Sequence, residues 1–126
     1  MKKLTVLTVL ALAAGVFRAN AQSLRNTAWK TYITTASDSM TLHIGTDSSW
    51  VTSGGGDVVV RSLCHVSKDT ITLDDFDGQY MCPNQKGVYT YTLKDDKLVL
   101  NLVNDGCDGR ATGINGIAWI RISKNP

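Results

Sequence analysis

The sequence predicts an all-β protein: a single up-and-down antiparallel β-barrel of about eight strands. Three observations lead there. The chain breaks into short runs of alternating apolar and polar residues at roughly ten-residue spacing, the pattern of strands with one buried face. Nearly every run is bounded by Asp, Gly or Ser, the residues that tolerate tight turns. The composition disfavours helix: all 11 acidic residues are Asp, with no Glu, and Ala and Leu thin out after the first twenty residues while Thr and Gly stay frequent.

The chain opens with MKKLTVLTVLALAAGVFRANAQS. Lys2 and Lys3 form a positive n-region, Leu4 to Phe17 an apolar run, and Ala19–Asn20–Ala21 a small-x-small cleavage pattern. This predicts a signal peptide over residues 1–21, cleaved after Ala21, and one domain over residues 22–126. The apolar run is short for a membrane span, and no cysteine follows it to carry a lipid. The expected destination is secreted or periplasmic. Loss of Lys2, Lys3 and Arg18 leaves 10 basic residues against 11 aspartates, a net charge of −1. That balance does not point to nucleic acid or an acidic membrane surface as a partner.

The elements follow in order. TAWKTYITT is the first run; MTLHI and SWVTS follow, joined through GTDS. GGGD precedes VVVRSLCHV, SKD turns into TITLDD, and FDGQ turns again. GVYTYTL and KLVLNLV are joined at KDD, and GIAWIRI ends the series. Consecutive runs joined by tight turns describe a meander, and no internal repeat, linker or second domain interrupts it.

One hairpin can be registered in detail. A turn at Asp95–Asp96 pairs Leu93 with Leu98, Tyr91 with Leu100 and Tyr89 with Leu102. Strand alternation puts all six on one face, with Val88, Thr90, Thr92, Val99, Asn101 and Val103 on the other. Cys82 and Cys107 then lie just beyond the open end of the hairpin, where they can meet, and in an oxidising compartment a disulfide is expected. Closing a loop of about 25 residues is worth about 3–4 kcal/mol in the chain-entropy model. By the same construction Val66 pairs with Ile71 and Cys64 with Leu73, which places Cys64 inward as a small core residue.

These residues carry a resemblance. LRNTAWK (Leu24 to Lys30) resembles the L-x-G-T-W opening of lipocalin-like families of small secreted bacterial β-barrels, with Asn26–Thr27–Ala28 interrupting the usual Gly-Thr-Trp. HVSKDTITL is similar to their Y-x-V-x-G-D-T-I-T-L hairpin. CPNQKGVYTYTLKDDKLVLNLVNDGCDGR resembles the C-P…G-x-Y…D-x-C-x-G-R segment of uncharacterised members. The resemblance implies a lipocalin-like barrel that binds a small apolar molecule inside. It also implies that Trp29 packs beneath Arg121 of the last strand, a cation–π contact closing one end.

The chemical constellations are weak. No Gly-x-Ser-x-Gly occurs, and His43 and His65 fall on outward positions. A Cys64–His65 dyad fails because neighbours on a strand point to opposite faces. Asp74, Asp75 and Asp77 crowd a turn that lacks the spacing of a Ca²⁺ loop, and a solvated turn is the expectation. In DGCDGR, Asp105 or Asp108 can clasp Arg110, or Arg110 can contact a ligand. SGGGD has no following helix whose N-terminus could hold phosphate. No catalytic residue, metal or cofactor is expected.

The best candidate site is the barrel interior, with Trp29, Ile33, Leu42, Ile44, Trp50, Val58, Val60, Tyr89, Tyr91, Leu100 and Ile120 as the inward set. Such a barrel is either filled by its side chains or holds one ligand. The ligand-binding candidates are Trp29, Trp50, Tyr89, Tyr91 and Arg110. The function expected is non-catalytic binding of a small apolar molecule by a monomer. Two alternatives remain: a periplasmic inhibitor or interaction module acting through Gly54–Gly56 or Asp105–Arg110, and an in-barrel isomerase or cyclase.

Overall fold

The computed structural model describes residues 24–123, so the signal-peptide reading of residues 1–21 lies outside the described residues. Eight strands close into one antiparallel barrel in the order in which they occur in the chain. They are β1 (Thr27–Ile33), β2 (Asp38–Ile44), β3 (Ser48–Thr52), β4 (Val58–Ser67), β5 (Thr70–Asp77), β6 (Lys86–Lys94), β7 (Lys97–Asp105) and β8 (Ala118–Ser123). A 3-10 turn at Thr34–Ala36 links β1 to β2, and a short helix, α1 (Asp108–Ile114), links β7 to β8. Each of the eight alternating runs is a strand.

The β6–β7 hairpin has the register that its alternation predicts: Leu93↔Leu98, Tyr91↔Leu100 and Tyr89↔Leu102. Asp95 and Asp96 carry φ of 52° and 58°. Two left-handed residues between paired flanks make the two-residue turn whose twist matches that of the strands. The β4–β5 pairing also agrees, with Cys64↔Leu73 and Val66↔Ile71. Cys64 is a free, buried core residue, and burial pushes its thiol pKa up to about 11.

The turns sort into two ends. β1 begins, β2 ends, and the β2–β3, β4–β5 and β6–β7 turns gather at one end, the base. The other end, the mouth, carries Thr34–Ala36, the β3–β4 loop, residues 78–85 and α1. The Arg121 guanidinium lies 4.4 Å from the centre of the Trp29 ring. Trp29 is fully buried, and its indole nitrogen donates to Thr27 Oγ1 at 2.7 Å. Arg121 also reaches Asp96 Oδ1, at 3.2 Å.

Three inward assignments need correction. On β4, Val59 rather than Val58 is buried, followed inward by Ser62, Cys64 and Val66. The register shift at Val51/Thr52 inserts Val59 into β4 as a bulge and displaces the alternation of its first half; a second shift, at Arg61/Ser62, places its extra residue, Phe76, on β5. On β8, Trp119 is buried and Ile120 is 46% exposed. Arg121 points in with Trp119 because its guanidinium lies on Trp29, so a charged residue occupies an inward position. On β3, Trp50 lies on the outer face, opposite His43 and stacked on it at 5.0 Å between ring centres and 4° between planes. Ser49 is the buried residue there.

The helix is the element that composition argues against. Cys107 caps it, with its sulfur accepting from the Arg110 backbone N–H at 3.4 Å, and Asp108 sits in the first turn, where a negative charge is favourable. Asn115 Oδ1 then accepts from Leu102 N at 2.9 Å, and Gly116 N donates to Leu100 O at 2.8 Å. Tertiary contacts hold a segment whose intrinsic propensity is poor.

Candidate functional site: a roofed cavity at the mouth of the barrel

The Cys82–Cys107 disulfide is present, with its Cα atoms 6.0 Å apart. It joins the loop after β5 to the start of α1 and so ties down the roof of the barrel. Beneath it lies a cavity of about 360 Å³, within the range of sites that hold one small molecule. Its wall is largely apolar, with Ile33, Met40, Leu42, Val51, Leu73 and Leu100 prominent. Thr35, Tyr80 and Gly109 border it from the mouth side and are exposed. Ser49, Ser62, Asp75 and Arg110 supply its polar border.

Arg110 is the centre of a buried charge cluster. Its Nε donates to Asp105 Oδ2 at 2.7 Å, and its Nη2 to Asp105 Oδ1 at 2.8 Å and to Gln85 O at 2.7 Å. Its Nη1 stands 3.0 Å from Asp75 Oδ2, an ion pair without the alignment of a hydrogen bond. Asp75 accepts from Ser62 Oγ at 2.6 Å and from Cys82 N at 3.0 Å. Asp105 accepts from Cys107 N at 2.9 Å and from the Tyr89 hydroxyl. Helix, disulfide loop and strands β4 to β7 are thus joined through one guanidinium. The fork geometry of arginine suits this bidentate contact.

The electrostatics follow from burial and pairing. Burial pushes the Asp105 carboxyl upward, but hydrogen bonds from Arg110, Tyr89 and the Cys107 N–H, with the charge of the guanidinium, hold it below the ordinary carboxylate range. Burial pulls Arg110 down, while its hydrogen bonds to Asp105 and the two carboxylate charges raise it. The Tyr89 hydroxyl is raised by burial and then by Asp105. Gly87 makes the cluster possible: a Cβ there would stand 2.5 Å from Asp105 Oδ2 and 2.9 Å from Arg110 Nε. Close approach of β6 to the ion pair requires the bare backbone.

Of the five ligand candidates, only Arg110 borders the cavity. Trp29 is packed under Arg121, and Trp50 is outside the barrel. The Tyr89 hydroxyl is spent on Asp105 and that of Tyr91 on Lys68 O, at the base. The tyrosines are therefore structural, and a tyrosine-lined ligand wall is not what the barrel contains. DGCDGR is a clasp in which Arg110 pairs with Asp105 rather than Asp108.

The expectation of a solvated turn fails at Asp75, and nothing in the sequence marks Trp119 as a site residue. Asp75 is buried rather than part of a solvated turn, and the signal was present: it continues the inward phase of Ile71 and Leu73. Trp119 borders the cavity, and its indole N–H is buried without a hydrogen-bond partner.

His43 is half-buried, and burial lowers its pKa. Among the described residues, no group of three or more His, Cys, Asp or Glu side chains is disposed to hold a metal, and no helix is long and apolar enough to cross a membrane.

Gly109 and Gly113 lie one turn apart on α1, border the cavity, and would place a Cβ with no other atom within 4 Å. Neither has a positive φ. Replacing both with Ala is expected to raise stability by about 0.5–1 kcal/mol per site. A lower urea midpoint in the double variant would refute this reading of the helix.

No family model, curated protein or solved structure matches the chain.

Proposed function

We propose that the protein is a secreted or periplasmic lipocalin-like carrier that holds one small apolar molecule in the cavity beneath α1 and performs no chemistry on it. The observation that carries this reading is the cavity itself: about 360 Å³, apolar on most of its wall, with exposed residues on its mouth side. The two charged groups that border it, Asp75 and Arg110, are committed to each other, to Ser62 and to Asp105. A group so engaged is poorly placed to shuttle protons, which supports binding without catalysis. The disulfide supports an oxidising compartment, in line with the signal peptide read from residues 1–21.

The test is titration with N-phenyl-1-naphthylamine, an uncharged dye that brightens in apolar surroundings. Saturable one-to-one binding is expected. Val51 borders the cavity and is half-buried, so Val51→Phe should fill part of the space and weaken the dye at least about tenfold, which is about 1.4 kcal/mol. Circular dichroism checks that the variant keeps its strands. Absence of saturable binding to the wild type, or a folded Val51→Phe protein that binds the dye unchanged, would sink the carrier reading.

A further inference from the structure

Which polar end the cavity accepts can be read from its charges. Among the described residues that border it, the charged side chains are Asp75 and Arg110, and Arg110 has the fully buried Asp105 side chain against its other edge. Two carboxylates thus face one guanidinium, a formal sum of −1 inside the roof. The guanidinium charge is already flanked on both edges: Nε and Nη2 of Arg110 donate to Asp105 and Gln85 O, and Nη1, which makes no hydrogen bond, lies 3.0 Å from Asp75 Oδ2. An entering carboxylate would shed its hydration and meet a cluster in which two carboxylates already flank the one guanidinium. In a poorly solvated site each of these is costly.

The neutral groups at the border read differently. Ser62 uses its hydroxyl proton on Asp75 and keeps an oxygen that can accept. Trp119 holds an indole N–H with no partner. An uncharged alcohol, ketone or ester can engage such groups without bringing a charge into the roof.

We propose that the cavity selects uncharged amphiphiles, an apolar tail ending in a hydroxyl, ketone or ester oxygen, and rejects the corresponding carboxylates. This rests on the carrier reading above and adds the class of ligand to it. Anion rejection follows from the roof being built of two acids around one base, a formal sum of −1.

The experiment is displacement of the bound naphthylamine dye at neutral pH by three molecules of matched chain length: decanol, methyl decanoate and decanoate. The alcohol and the ester are expected to displace the dye at concentrations at least about tenfold below those needed for decanoate, a difference of about 1.4 kcal/mol. Asp75→Asn removes one negative charge from the border and should narrow that gap severalfold. If this variant does not fold, the wild-type comparison alone decides. Equal displacement by all three, or tightest displacement by decanoate, would overturn the charge selectivity while leaving the carrier reading standing. Failure of the dye itself to bind the wild type would overturn both.

Discussion

Arg110→Met is expected to destabilise the protein by about 3–5 kcal/mol at neutral pH, the cost of stranding buried charge. The Asp75 and Asp105 side chains are 2% and 0% exposed and both depend on this guanidinium. Methionine fills much of the volume and replaces none of the charge. Typical domains have only about 5–15 kcal/mol of stability, so the loss is a large share of the whole.

The pH dependence supplies a second readout. In the wild type, Asp105 has a folded pKa below its unfolded value. Its stabilisation is therefore present above the unfolded pKa and lost as pH falls through the folded one. Without the guanidinium, burial dominates and the folded pKa rises above the unfolded value. The variant then gains stability on mild acidification, while the wild type does not. The difference between the two, measured by urea unfolding, should shrink from pH 7 toward about pH 4. A pH-independent difference would mean that Arg110 acts through packing alone. Adding Asp75→Asn and Asp105→Asn to Arg110→Met should recover part of the loss, because the stranded charges are then gone.

The second large effect is expected from Cys82→Ser with Cys107→Ser. The cysteines are 25 residues apart, and opening that loop costs about 3.5 kcal/mol in the chain-entropy model. The structure adds a local consequence. Cys107 caps α1 through its sulfur, and the Cys82 N–H holds Asp75, so loosening the bridge also loosens the roof and its charge cluster. Urea unfolding of the double variant, and of wild type treated with dithiothreitol, should agree, since Cys64 is unpaired. A loss under about 1 kcal/mol would show that the roof is ordered without the bridge.

The strands, their order and two of the hairpin registers were legible because alternation and turn chemistry agree there. Asp95–Asp96 is a turn by composition and by left-handed geometry, and the pairs beside it follow by counting. Legibility fails where the chain breaks its own period. The bulge in β4 moves Val59 inward in place of Val58, and nothing in VVVRS marks where an extra residue is inserted. On β8 alternation alone puts Ile120 inward, whereas Arg121 takes that phase over the Trp29 ring, a contact that the resemblance implied and the period did not.

The site was half legible for the same reason. Its disulfide and Arg110 could be placed from the hairpin. Whether a ring fills the interior or leaves space depends on where hydroxyls find partners. Tyr89 and Tyr91 both find theirs in the protein. α1 was invisible because Gly-rich, Thr-containing DGRATGI has little helical propensity. It forms because a cap and an ion pair hold it from outside.

The pairing of the first strand with the last has a practical consequence. Ala28 lies opposite Ser123 at the base, so both ends of the described chain leave the barrel on the side away from the cavity. A tether attached at either end, to a bead, a chip or a fused carrier protein, holds the molecule with its opening turned outward. Dye titrations that test the carrier proposal can therefore be run on an immobilised sample with the described roof facing the solution, without re-engineering the loops.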